Sequence, residues 1–509
     1  MANPIGTWEI WAIGAFVLAV AAQGLLAGGR ARSLRNYFVT DGSVPWYFIS
    51  ISLYASLLTP MSFIGVVSWI AQKDSRWFVG SALVGLLSLP LAAAIWVSLW
   101  HRLRPLTIFE YLESRYTPWL RVFGVILFLS QMIFWLGNEL VTTAGILETS
   151  FGLAPIGSIG LVMLVGTAYT LLGGARADIW TEQTQFVVLV SAFLCVLTVL
   201  LLHFNFDFWE IHRLASSKST VTGHLHTTMV STEFDFGVEG ALWAIIFVRL
   251  NNVLMFGTEQ VVVQRLLAIP RRSRMFLAIV GFGVIDVVVA ALLIITAWAL
   301  IAFFAVGPHQ GGIASSEKLL VVFTTDYAPE WLRIFVICGL LSALLSSYGT
   351  GLNSVSGVII NDVYRRFVLR SASDLHYLLA SRVVVVLVCL VLFAFARWQY
   401  GHQEVTVLQR MGQYAAVIGG PIGCLFVLGM FFRRVNTTGA VFGASVALLF
   451  ALLFNGIPGV LKPTFNIFNW MWISGIGTIL GVVFGYMGSL PFKPPERLAL
   501  KGLLVRDPA

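Results

Sequence analysis

The chain has 509 residues, of which 58% are hydrophobic and only 11% charged, with a net charge of +8 and a mean hydropathy of +0.86. Ordinary soluble domains carry roughly 25% charge, so this composition excludes the string of soluble domains that the length alone would allow. At about 20 residues per bilayer crossing, the apolar stretches supply on the order of a dozen transmembrane helices, and the chain reads as an all-α polytopic membrane protein.

Taken in order, the apolar runs predict about 13 spans by the window rule: residues 8–27, 46–70, 78–100, 120–147, 154–172, 181–203, 240–263, 275–304, 331–360, 378–398, 408–432, 440–454 and 468–490. Residues 1–7 lack the basic stretch of a secretory leader, and Arg30, Arg32 and Arg35 follow the first run, so that run is expected to remain a helix with its N-terminus outside. On this orientation the cytoplasmic loops and tail carry about 22 basic residues against about 9 outside, which is the bias one orientation throughout demands. The positive charge is thus topogenic and not a nucleic-acid surface. The chain is expected in the cell (inner) membrane with its C-terminus in the cytoplasm.

The loops at 204–238 and 305–329 fall outside and hold no recognisable soluble domain, and the tail after Leu490 is too short for a kinase or receiver domain. Cys195, Cys338, Cys389 and Cys424 all fall in apolar runs and read as small core residues. His224 and His226 form an H-x-H pair without further ligands, which reads as a solvated loop in preference to a metal site.

Ionisable or irregular residues at bilayer depth are costly, so they mark function. In the second run, Tyr54-Ala55-Ser56-Leu57-Leu58-Thr59-Pro60-Met61-Ser62 puts a proline in mid-helix, removing one amide and clashing with the Ser56 carbonyl. That predicts either a packed kink or carbonyls near Ala55 to Leu58 free for a ligand. The seventh run carries Arg249-Leu250-Asn251-Asn252 and then Gly257-Thr258-Glu259-Gln260, a second predicted break. Two interrupted helices at corresponding places point to an inverted-repeat transporter with its site at the midplane, with spans two to six and seven to eleven as the repeats.

In the ninth run Ser346, Thr350 and Ser354 recur at i, i+4, i+8 on one face. Small-residue packing with hydroxyls returned to i−4 carbonyls and a hard-cation site facing unwound carbonyls are both open from chemistry alone. Arg249 and Asp286 are opposite charges within apolar runs, with Glu139 as another partner. They read either as a structural ion pair or as a solute site, Arg249 taking a carboxylate and Asp286 an amine or hydroxyl.

Several separate motifs carry a family resemblance. Asn36-Tyr37-Phe38 with Val44-Pro45-Trp46, the run Thr107 to Tyr116, Tyr169-Thr170 with Gly173-Gly174 and Trp180-Thr181-Glu182, Gln260 with Gln264-Arg265, and Gly419-Gly420-Pro421 through Arg433-Arg434-Val435-Asn436 together resemble the sodium:solute symporter family over about residues 36–440. The resemblance implies a LeuT-type fold of 13 helices with a 5+5 inverted-repeat core starting at the second span, and Na⁺-driven uptake by alternating access. The implied organisation is an extra helix and loop at 1–45, repeats at 46–203 and 240–432, an external loop at 204–239, two extra helices at 433–490 and a cytoplasmic tail at 491–509.

The family's shared sodium site would match the carbonyls of Ala55, Leu58 and Ala343 and the hydroxyls of Ser346 and Ser347. A further sodium position, used by some members, would fall at Ser346, Ser347, Thr350 and Glu182, where the family usually has Asp. For the solute, Asn252 stands where sugar-transporting members contact their ligand, while Met255 replaces the tyrosine that covers the sugar there. Ser62 and Phe78 match pocket positions of sialic-acid transporters, but Trp135 stands in place of the arginine those members use. The expectation is a sodium-coupled symporter importing a small polar organic solute (an organic acid, amino acid or sugar derivative), with the lipid bilayer as its surroundings, no nucleic-acid partner and no covalent chemistry. A proton-coupled transporter of the same fold, with Glu182 or Asp286 carrying the proton, is the nearest alternative. A polytopic enzyme would need clustered His, Asp or Glu at one membrane face, and a channel a filter or charged-ring motif.

Overall fold

The computed structural model describes residues 6–28, 34–40, 42–152, 154–219, 221–234, 236–237, 239–306, 319–401, 407–496, 498, 500–505 and 507. Among them, ten helices are long and apolar enough to cross a membrane, eleven with one pair bent by 65°, and the shorter apolar helices Pro155–Ala168 and Leu242–Thr258 fall in the remaining predicted runs. The principal helices are α1 (Thr7–Gly28), α2 (Trp46–Leu57), α3 (Pro60–Gln72), α4 (Arg76–Leu103), α5 (Pro118–Phe151), α6 (Pro155–His203) and α7 (Leu242–Met255). They continue with α8 (Gln260–Leu267), α9 (Arg272–Val306), α10 (Glu330–Val358), α11 (Asp374–Tyr400), α12 (Val407–Phe431), α13 (Thr437–Phe454) and α14 (Trp470–Ser489). α10 is buried along nearly its whole length, whereas α1 is largely exposed on its outer side. A helix apolar all round must be surrounded by protein or lipid, and these two are the extremes.

The second run breaks, but not around a mid-helix proline. α2 ends at Leu57, Leu58 and Thr59 are extended, and Pro60 opens α3 at its first position, where a missing amide is no loss. Thr59 and Ser62 close a capping box across this start, satisfying α3's first amides. The seventh run breaks beyond its Arg249-Asn252 segment, which is helical: α7 passes through a 3-10 turn at Phe256–Thr258 and an extended Glu259 into α8. Two indoles of α4 take up the carbonyls freed there, Trp96 Nε1 donating to Val253 O at 2.7 Å and Trp100 Nε1 to Gly257 O at 3.1 Å. A β-carbon on Gly257 would lie 1.9 Å from the Trp96 ring, so only glycine admits that approach.

Predicted runs five and six join in α6 across Gly174, whose φ of +68° and ψ of 174° are non-helical. The Tyr37 ring lies 2.9 Å from where a β-carbon would sit, so two of the separate motifs meet at this kink. The four cysteines are unpaired, and Cys195 is only half-buried. The His226 ring nitrogen lies 3.0 Å from Ile70 O and 3.1 Å from Lys73 O, closing the end of α3, and the described residues contain no group of three metal-ligating side chains.

Candidate sodium and solute sites

Residues Ala55, Leu58, Ala343, Ser346 and Ser347 are all buried, none more than 6% exposed, and α2 packs against α10. At the end of α2 the helical donors run out: Pro60 has no amide for Ser56, and the Thr59 amide turns to Ser62 Oγ at 3.3 Å. On α10, Ser347 Oγ lies 2.9 Å from Ala343 O and 2.6 Å from Glu139 Oε2. Ser346 Oγ is buried without any hydrogen-bond partner. A buried orphan hydroxyl is costly, so Ser346 Oγ is free to take a partner that neighbouring carbonyls would share. Neutral oxygens from two helices suit a hard monovalent cation, which needs several oxygens but little buried charge.

Glu182 and Thr350 also come together, 2.7 Å apart. The Arg265 guanidinium, however, lies on both, 2.7 Å from Glu182 Oε1 and 2.5 Å from Thr350 Oγ1. Ser52 Oγ donates to the other carboxylate oxygen. Asp178 stands 3.9 Å from the same guanidinium and accepts from Asn353.

Between the two breaks lies a cavity of about 370 Å³, within the usual range for small-molecule sites. Of the sequence-derived solute residues, Trp135, Arg249, Asn252 and Met255 line it. Ser62 does not, being held in the α3 capping box, and Phe78 packs its ring 6.4 Å from Trp69 instead. Asp286 lies behind the wall, 3.9 Å from the Arg249 guanidinium. Glu139 does not join that pair, because it reaches Ser347.

Sequence reasoning missed Gln131 and Tyr414, and read Glu259 only as part of the predicted break and not as a cavity residue. Glu259 stands at the first, extended position before α8, without a side-chain capping bond, and Gln131 Nε2 donates to its carboxylate at 3.3 Å. The Tyr414 ring stacks on Phe134 at 3.8 Å. A signal for Gln131 was present: Gln131, Trp135 and Glu139 recur at i, i+4, i+8, which puts an amide and a carboxylate on one face of α5 at bilayer depth.

An all-helical bundle with two broken helices flanking a largely apolar cavity that holds a few polar groups is the arrangement of an inverted-repeat secondary transporter. The chain belongs to the sodium:solute symporter family, whose sequence profile matches residues 37–446. It is 24% identical over 506 residues to a sodium/sialic acid symporter of Aliivibrio fischeri, covering 97% of this chain and 95% of that protein. Against a sodium-dependent multivitamin transporter of Oryctolagus cuniculus it is 26% identical over 446 residues, covering 86% and 68%. A substrate-bound, outward-open Na⁺-coupled sialic acid symporter superposes with a TM-score of 0.84 at 20% identity, over 96% of this chain and 99% of that one. A nucleobase-cation-symport-1 family transporter in a closed conformation gives 0.54 at 12% identity, over 89% and 93%. The fold is LeuT-type, and the chain is an integral membrane protein that acts as a sodium-coupled symporter of a small organic solute, not as an enzyme.

Proposed function

We propose that this symporter imports a small polar solute bearing a carboxylate together with an ammonium or hydroxyl groups, such as an amino acid or an acidic sugar derivative, with one Na⁺ per cycle. The observation that carries the solute class is a single cavity lined by both Arg249 and Glu259. The guanidinium suits a carboxylate in two-point contact. Glu259, with Gln131 and Asn252, offers the acceptors that an ammonium or hydroxyl needs. Asp286, behind Arg249, orients it and balances its charge. Trp135 and Tyr414 supply the apolar walls.

In this reading Na⁺ is held by the carbonyls of Ala55, Leu58 and Ala343 and the hydroxyls of Ser346 and Ser347. One ion, not two, is supported by Arg265, whose guanidinium already fills the cation's place at Glu182 and Thr350. Coupling follows from adjacency: Leu57 lines the solute cavity while Leu58 belongs to the sodium position. Ordering the break for one ligand therefore orders it for the other, and the two affinities rise together. Loss of Na⁺ releases the α2 end from α10 and favours the alternate arrangement. The repeats at 46–203 and 240–432, an external N-terminus, a cytoplasmic C-terminus and residence in the cell membrane complete the proposal.

A thermal-shift screen of the purified protein against amino acids, organic acids and sugars, each in Na⁺ and in K⁺ at equal ionic strength, tests it, since ligand binding raises apparent stability by mass action. An amino acid or acidic sugar that stabilises only in Na⁺, and that R249Q no longer recognises, is the expected result. Stabilisation by neutral sugars alone, or an R249Q variant with undiminished response, would remove Arg249 from the solute site. Solute binding that ignores Na⁺ and follows pH instead would point to the proton-coupled alternative.

A further inference from the structure

The fourth membrane run carries a carboxylate that neither the sodium reading nor the solute reading uses. Glu139 sits on α5 with no exposed surface. Its Oε2 accepts from Ser347 Oγ at 2.6 Å, while its Oε1 has no hydrogen-bond partner. Among the described residues no lysine, arginine or histidine pairs with it. A carboxylate at bilayer depth without a cation is among the least favourable arrangements a membrane protein can hold. Its one partner is a hydroxyl of the proposed sodium position.

We infer that Glu139 supplies the negative charge of the sodium position when Na⁺ is bound and is the residue that aims Ser347. The inference rests on the sodium site proposed above. A serine hydroxyl has one proton and two lone pairs. Ser342, five residues earlier on α10, spends its proton on the Cys338 carbonyl at 2.8 Å, the usual back-bond of a membrane serine. Ser347 has the same option at Ala343 O, at 2.9 Å, but the 2.6 Å contact to Glu139 is shorter and in the range of an O–H to carboxylate bond. With the proton directed to Glu139, the Ala343 carbonyl and the Ser347 lone pairs are both released toward a cation. The carboxylate then meets that cation's charge across one oxygen, which makes an otherwise neutral oxygen set electrostatically selective for occupancy by a cation. The carboxylate of Glu139 without a pairing cation and the orphan hydroxyl of Ser346 are thereby explained by the same ion.

The test uses the purified full chain in detergent without solute, following melting temperature against NaCl with KCl holding ionic strength constant. Wild type is expected to be stabilised by Na⁺ and not by K⁺. E139Q keeps an amide oxygen that accepts from Ser347 but removes the charge, and its Na⁺ midpoint is expected to rise about tenfold or more, the scale on which residues behind a metal ligand act. Its melting temperature in K⁺ should not fall. A folded E139Q with the wild-type midpoint, beside an S346A with a raised one, overturns the role of Glu139 while leaving the sodium position standing. An S346A with the wild-type midpoint overturns the sodium position, and the inference with it. Should E139Q fail to fold, E139D decides: it keeps the charge but loses reach to Ser347, so a several-fold rise is expected and a wild-type midpoint refutes the assignment.

Discussion

Two buried polar clusters lie one helical turn apart on α10, and only one contains its own cation. At Thr350, the Glu182 carboxylate is met by the Arg265 guanidinium and by Ser52 and Thr350 hydroxyls. At Ser346 and Ser347, the Glu139 carboxylate is met by one hydroxyl, and a second hydroxyl stands with no partner. The first cluster holds its own counter-charge, although Arg265 Nε, Asp178 Oδ1 and Asn353 Oδ1 are buried without a partner, and it reads as structure because its carboxylates already face a guanidinium. The second, on the reading proposed above, takes its cation from outside, which is what a coupling-ion site must do if binding is to change the conformational balance.

The largest effect should come from breaking the first cluster. R265Q leaves Glu182 and Asp178 buried without a cation, and removing one partner of a buried pair typically costs about 3–5 kcal/mol. A melting temperature lowered alike in Na⁺ and K⁺ is expected. If R265Q instead melts like wild type in K⁺ and its Na⁺ response steepens toward two ions, Arg265 is a stand-in for a second Na⁺ and the contrast between the clusters is one of occupancy alone. S346A should show the reverse pattern at the second cluster. No existing hydrogen bond is lost, and a buried unsatisfied group is removed, so stability in K⁺ should hold or rise while the Na⁺ midpoint increases several-fold.

The smallest effect belongs to a third polar group, away from both clusters. On the short helix Phe109–Arg115, Glu113 bonds Arg366 at 2.6 Å and Arg121 at 2.7 Å. The Arg366 bond, with that of Arg121, holds its carboxyl below the ordinary value of 4.5. A depressed folded value means that this contribution to stability is present above about pH 4.5 and is lost as pH falls through the folded value. Acid melting curves of E113Q should therefore lack a small component that wild type shows below pH 4.5, and neutral-pH Na⁺ response should be unchanged.

How much of this was legible in the sequence depends on the range of the interaction. The apolar runs and both breaks follow from local composition, and every predicted run is helical. The five residues proposed for sodium lie on two helices that pack against each other and that were recognisable separately, α2 by its Thr59-Pro60 break and α10 by its hydroxyl stripe. Pro60 was misjudged because a proline near the middle of an apolar run is read as interior until the cap at Thr59 and Ser62 shows it to be a start. The same cap holds Ser62 out of the cavity lining, and Phe78 packs on Trp69 instead. Glu139 was noticed as an intramembrane charge but given the wrong partner. Its bond to Ser347 spans 208 residues, and no period or spacing within one helix encodes a contact between two.

The sequence alone determined that this chain lives in a membrane, that it spans it as helices, and that two of those helices are interrupted. Those outcomes depend on hydrophobic run length and on the local chemistry of proline, glycine and polar side chains, which act within a few residues. Only the tertiary structure decided which buried charges meet. Arg265 was brought to Glu182, while Glu139 was left beside an open oxygen cluster, because in a low-dielectric interior the energy of a charge is set by what lies within a few ångströms in space and not by its neighbours along the chain.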